Sequence, residues 1–136
     1  MLCLDTNVVV ALLAGRRSTV RSRFDEARVV GTPLALSAVV LFELRFGAAN
    51  SARPESNQRA LDVFLESGVE VVLAFDREDA TEAGAIRAHL RALGKPIGRY
   101  DILIAAQARR RGATLVTSNV REFERVLGLT VVDWAA

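Results

Sequence analysis

Short apolar runs recur along this chain and alternate with longer stretches that carry helical periodicity. The runs Leu2–Leu4, Leu34–Leu36, Val69–Leu73, Leu115–Thr117 and Thr130–Val132 are too brief for helices and stop at polar or turn residues. Between them, helical patterns extend from Thr6 to about Ala14, Ser18 to Val30, Ser37 to Ala49, Pro54 to Glu66, Asp76 to Leu93, Arg99 to Arg111 and Arg121 to Leu127. Strands joined through helices need crossover connections, and crossovers generate a parallel sheet covered on both faces. The expected fold class is therefore α/β, a three-layer α/β/α sandwich. At 136 residues, with no internal repeat, low-complexity tract or linker-like stretch, the chain reads as a single domain over 1–136.

Hydrophobic residues make up 51% of the chain and charged residues 25%, which excludes disorder as a global description. The single Cys3 has no partner for a disulfide framework and suits a reducing compartment. The apolar run Val8–Ala14 falls well short of the roughly 18–20 residues of a membrane helix. It is preceded by Asp5 and followed by Arg16 and Arg17, the reverse of a secretory leader's charge order. A cytoplasmic protein without membrane attachment is expected. The net charge is only +2, but all of the 18 basic residues except Lys95 are Arg. Arginine forks match phosphate, so this composition leans towards a phosphate-bearing partner, although codon bias produces the same excess.

Ligands of open parallel sheets bind beyond the carboxyl ends of the strands. Asp5-Thr6-Asn7 follows the first apolar run, and Ser118-Asn119, with Glu122 a helical step further, follows the fourth. Asp5 also suits a helix N-cap, and Asp101 suits the first turn of a helix, where its charge meets the macrodipole. Glu43 stands in Ala38-Val39-Val40-Leu41-Phe42-Glu43-Leu44, a helix apolar nearly all round and so expected to be buried. A carboxylate there needs a cation, either a distant Arg or a metal; Arg45, two residues on, points to another side. Carboxylates about 4 Å apart repel by roughly 4 kcal/mol at an effective dielectric near 20. A divalent ion removes that penalty, and an all-oxygen set without Cys or His favours Mg²⁺ or Mn²⁺ over zinc. Such an ion activates water and clamps phosphate oxygens for hydrolysis. No Gly-rich phosphate loop, Rossmann fingerprint or nucleophile elbow is present. The only histidine, His89, lies among arginines on a helix and reads as a surface residue; Cys3 reads as core.

Leu-Asp-Thr-Asn at the start, Phe-Glu-Leu around Glu43, Tyr-Asp-Ile-Leu-Ile-Ala-Ala around Asp101 and Val-Thr-Ser-Asn-Val-Arg-Glu-Phe near the end resemble the PIN-domain ribonucleases. The order and spacing of these motifs, with Gly-Lys-Pro-Ile-Gly before Asp101 and a closing Val-Asp-Trp, resemble in particular the VapC toxins of bacterial VapBC toxin–antitoxin pairs. The resemblance implies a five-stranded parallel sheet in the order 3-2-1-4-5. It implies that Asp5 and Asp101 hold Mg²⁺ or Mn²⁺ and that Glu43 completes the acidic pocket, with Asn119 and Glu122 beside them. It further implies an endoribonuclease that cuts structured RNA, tRNA foremost, and stops translation. A homodimer silenced by a VapB-type antitoxin is the implied assembly. Asn119 departs from the Asp that many PIN domains carry there; Glu122 is placed to supply the missing charge.

Arg16, Arg17 and Arg99 are the expected RNA contacts, whereas Arg109, Arg110 and Arg111 are expected to form a solvated helix end. The rival reading from another class is a non-catalytic PIN-like module kept for binding its partner. A phosphotransfer or phosphatase domain on a similar sheet is disfavoured, because the first strand ends in one Asp rather than an acidic pair.

Overall fold

The computed structural model describes residues 1–16 and 18–136. Along the chain run β1 (Leu2–Leu4), α1 (Thr6–Leu13), α2 (Thr19–Val30), β2 (Leu34–Ser37), α3 (Ala38–Ala49) and α4 (Pro54–Ser67). They are followed by β3 (Val71–Leu73), α5 (Arg77–Ala92), α6 (Arg99–Arg110), β4 (Thr114–Val116), α7 (Val120–Phe123) and β5 (Thr130–Val132). The strands form one sheet in the order β3-β2-β1-β4-β5, parallel throughout. This is the α/β topology expected.

Handedness then places the layers. Right-handed crossovers from β1 to β2 to β3 lay α1–α4 on one face, and the return from β3 to β4 and on to β5 lays α5–α7 on the other. The direction of winding reverses between β1 and β4, which opens a crevice at the carboxyl ends of those two strands. β2 is buried along its whole length, while Val71 and Val72 of the edge strand β3 are partly open.

Helix starts follow local side-chain chemistry. The Ser18 hydroxyl accepts from the Arg21 N–H and the Ser37 hydroxyl from the Val39 N–H, opening α2 and α3. Pro54 begins α4, and Asp76 and Asp79 form a reciprocal capping box on α5. Gly31 ends α2 at φ 85°, a left-handed conformation that glycine adopts without strain.

Three boundaries differ from expectation. β3 begins at Val71 rather than Val69, since it pairs on one side only and follows the end of α4. β4 spans Thr114–Val116, one residue earlier than expected, and the Thr117 side chain turns to Asp5 instead. α7 stops at Phe123 rather than Leu127, because the backbone tightens into i to i+3 bonds from Arg125 to Glu122 and from Val126 to Phe123.

Candidate functional site

The end of β1 delivers Asp5 into the crevice, and α1 begins at the next residue, so the carboxylate has two attachments. Oδ1 accepts from the Thr6 N–H at 2.8 Å, and Oδ2 accepts from the Thr117 hydroxyl at 2.7 Å across the β1–β4 boundary. The N-cap role and the strand-end role expected for Asp5 are both realised. The Thr117 hydroxyl in turn accepts from the Asn119 N–H at 3.0 Å, which fixes the turn leaving β4. Asp5 is only 6% exposed and Thr117 is buried.

Glu43 comes from α3, and here the structure corrects the sequence reading. The helix is not buried all round: Phe42 is 52% and Phe46 63% exposed, and Glu43 itself is half-buried at the border of that open face. Among the described residues no Arg or Lys pairs with it. Its Oε1 accepts from the Thr6 hydroxyl at 2.8 Å, so Thr6 ties Glu43 to the segment that carries Asp5. Arg45 faces away, as its spacing required, and bonds Asp62 at 2.7 Å and Gln58 at 2.8 Å on α4.

Asp101 sits in the first turn of α6, half-buried. Burial, and then the charges of Asp5, Glu122 and Glu43, push its carboxyl up to about 6. Carboxylates carried by the end of β1, by α3 and by α7 thus lie within electrostatic reach of Asp101. Glu122 completes the set from α7, where Asn119 Nδ2 donates to its Oε2 at 2.9 Å and orients it. Of the five expected residues, Asn119 and Glu122 are joined by a hydrogen bond, and Asp5, Glu43 and Glu122 lie within electrostatic reach of Asp101. Thr6 and Thr117, which the sequence reading had not singled out, are the hydroxyls that orient two of the acids. Their places next to strand ends were visible in the sequence, but their partners, 37 and 112 positions away, were not.

Charge is the unusual property of this crevice. The ion pairs of the described residues, for example Arg21–Asp25, Arg45–Asp62 and Arg109–Glu82, involve none of these four acids. The hydrogen bonds to these carboxylates come from hydroxyl, amide and backbone groups, and among the described residues this hard, all-oxygen set has no ion-pair partner. That chemistry fits Mg²⁺ or Mn²⁺. As the side chains stand, no three Asp, Glu, His or Cys groups among the described residues form a ready-made cage. An ion that keeps several waters and takes few protein carboxylates, as Mg²⁺ does, suits such a site.

Of the remaining expectations, Cys3 is a buried free thiol with its pKa raised to about 11 by burial, a core residue as read. His89 lies exposed on α5. Arg16 is exposed, and Arg17 lies outside the described residues. Among the described residues no helix is long and apolar enough to cross a membrane.

Comparison with known proteins gives the same answer from another direction. The PIN domain model matches residues 2–129. The chain is 41% identical to the tRNA(fMet)-specific endonuclease VapC of Shigella flexneri, over 97% of this chain and 96% of that one. It is 37% identical to ribonuclease VapC2 of Haemophilus influenzae, over 96% of each. Among solved structures it superimposes on VapBC2 of Rickettsia felis, bound to a promoter DNA fragment, with TM-score 0.89 and 33% identity over 98% of each chain. It matches the DNA-bound VapBC of Salmonella typhimurium with TM-score 0.88 and 38% identity, over 98% of this chain and 97% of that one. Strand order, the acids at the β1–β4 crevice and these near full-length similarities agree: the chain belongs to the PIN-domain family, within its VapC group.

Proposed function

We propose that this chain is a divalent-metal-dependent endoribonuclease, the toxin of a toxin–antitoxin pair, which cleaves structured RNA of the tRNA class and is silenced by a VapB-type antitoxin. The observation that carries the reading is the convergence of Asp5, Glu43, Asp101 and Glu122 with no ion pair to any of them among the described residues. A binding surface has no need of that arrangement, whereas phosphodiester hydrolysis does. The names of the VapC relatives support the substrate class.

In this reading Asp5 and Asp101 hold the ion, with Mg²⁺ or Mn²⁺ the metals the donor set suits. Bound there, the ion supplies positive charge to the phosphate oxygens and acidifies a water molecule. The protein groups do the rest. Thr117 holds Asp5 in one rotamer, and Thr6 holds Glu43 so that its free oxygen can orient water or take its proton. Asn119 fixes Glu122 as a further acceptor at the edge of the site. Because water rather than the ribose 2′-hydroxyl attacks, products carry 5′-phosphate and 3′-hydroxyl ends. Total RNA incubated with the purified chain should yield a few discrete 5′-phosphate ends that vanish with EDTA. Ends bearing 2′,3′-cyclic phosphate, or cleavage indifferent to EDTA, would overturn the reading.

The RNA-facing cations are separable from the structural ones. Arg87 and Arg91, one helical turn apart on α5, line adjoining grooves with Arg99 at the start of α6. All three are exposed, and among the described residues none takes part in an ion pair. Arg87→Ala and Arg99→Ala should each weaken RNA binding and reduce the slope of log affinity against log salt by about 1. An unchanged salt slope in both variants would remove them from the phosphate track.

A groove of about 500 Å³ between α1, α3 and α4, bordered by Val10, Leu13, Glu43, Gly47 and Leu61, opens beside the acids. It gives an antitoxin segment an apolar seat next to the site. The proposal includes a homodimer, whose formation would cover exposed apolar surface such as Phe42, Phe46 and Tyr100. It also takes residues 1–136 as one PIN domain acting in the cytoplasm, where its RNA substrate is found.

A further inference from the structure

Two helices of this chain carry Asp at the third helical position, and the two aspartates behave in opposite ways. On α5 the N-cap is Asp76 and the third residue Asp79; each carboxylate accepts from the other's backbone N–H, at 2.8 and 3.1 Å, in a closed capping box. On α6 the N-cap is Gly98 and the third residue Asp101, and no side-chain cap bond forms. The Gly98 N–H is present, yet no hydrogen bond to the Asp101 carboxylate forms among the described residues, and the charges of Asp5, Glu122 and Glu43 bear on it.

The backbone does not require glycine here. Gly98 has φ −57° and ψ 149°, an ordinary conformation for any residue. Ser37 at φ −65° and ψ 144° has nearly the same geometry and caps α3 through its hydroxyl. What a side chain at position 98 would meet is Asp101 itself: a Cβ there would stand 3.0 Å from Oδ2 and 3.5 Å from Cγ. Those atoms end a flexible side chain, so the carboxylate would move and the fold would not.

We propose that Gly98 is a positioning residue for Asp101: by withholding a side chain at the N-cap of α6, it leaves room for the Asp101 carboxylate, whose Oδ2 lies 3.0 Å from where a Cβ would stand, to sit in the acidic crevice. The helix forgoes a cap worth having, and the site keeps a carboxylate free for a cation. The inference rests on the reading that Asp101 is a metal ligand, and its test separates the two.

Gly98→Ala, Gly98→Ser and Asp101→Asn, each in the full-length chain, would be titrated with Mn²⁺ by calorimetry and melted without metal. Gly98→Ser supplies an N-cap only slightly better than glycine, so its Tm should equal or exceed the native value, by about 1 °C. Its Mn²⁺ affinity should nevertheless fall by roughly tenfold, as for other groups that orient a ligand. Gly98→Ala should show a loss in the same direction without the cap's gain in Tm. In an Asp101→Asn background, neither substitution should weaken Mn²⁺ further, because the group they displace is no longer a charged ligand. Native Mn²⁺ affinity in both Gly98 variants, alongside weakened binding by Asp101→Asn, would overturn the positioning role alone. Native affinity in Asp101→Asn would overturn the metal-ligand reading and the inference with it.

Discussion

Asp101→Asn is expected to cripple RNA cleavage and, in the absence of metal, to make the protein more stable. The two effects have one cause. Removing a ligand's charge from an all-carboxylate site should lower kcat/KM by on the order of 10³-fold, a barrier change of about 4 kcal/mol. In the metal-free protein the same charge is a burden, since burial and the carboxylates of Asp5, Glu122 and Glu43 push the Asp101 carboxyl up to about 6. An unfolded chain has its Asp near 3.9. Between those values the native state binds more protons than the unfolded state, so native stability falls as pH rises from about 4 to about 6 and stays low above. Asparagine lacks that titration. Its advantage should be absent below pH 4 and reach about 2 kcal/mol above pH 6 in metal-free urea unfolding. Saturating Mg²⁺ should reverse the order, because only the native protein gains binding energy. A variant that retains cleavage, or whose metal-free stability tracks the native chain at every pH, would remove Asp101 from the centre of the site.

The fold was legible because its signals are local and repeated. Ser18, Ser37, Pro54 and Asp76 each start a helix at the place their chemistry predicts. The short runs between them had to be strands joined by crossovers. The ends were less legible where the third dimension decides them. β3 loses its first two residues because an edge strand has one partner, and α7 loses its last turn to tighter backbone bonds. No periodicity carries that information.

The site was legible at the level of residue type, since acids at strand ends are conspicuous where the core sheet stops. Its wiring was not. Glu43 was read as a buried charge in want of a cation, but its helix leaves Phe42 and Phe46 open, and a hydroxyl rather than an Arg meets it. Thr6 and Thr117 pass as ordinary helix-start and strand-end threonines until the β1–β4 pairing sets them against Glu43 and Asp5. Contacts spanning 37 and 112 positions cannot be inferred from spacing.

The arginines at the end of α6 show the same limit, and they carry the largest expected structural effect. Arg109, Arg110 and Arg111 look like a solvated helix end suited to the macrodipole. Instead Arg110 Nε and Arg111 Nη1 donate to Asp79 Oδ1 at 2.7 and 2.8 Å, and Arg109 Nε donates to Glu82 at 3.0 Å. Asp79 has no exposed surface, and its other oxygen accepts from Gln107 Nε2 and the Asp76 N–H. Gln107 also donates to the Leu73 and Ala74 carbonyls, so one buried carboxylate joins the end of β3, the start of α5 and the end of α6. Burial alone would raise the Asp79 carboxyl, but hydrogen bonds from Arg111, Arg110, Asp76 and Gln107 outweigh it and hold the group well below the usual range. Asp79→Ala breaks the cap and strips Arg111 of its carboxylate, and should destabilise the fold by about 4 kcal/mol at pH 7. Because the native pKa is depressed, that stabilisation is complete above the unfolded-state value near 3.9 and is lost as pH falls below it. Urea unfolding of the two proteins should therefore show a wide gap at pH 7 that narrows steadily below pH 4. A gap under 1 kcal/mol at pH 7 would mean that these arginines are indeed solvated and that α5 and α6 are held together by their apolar contact alone.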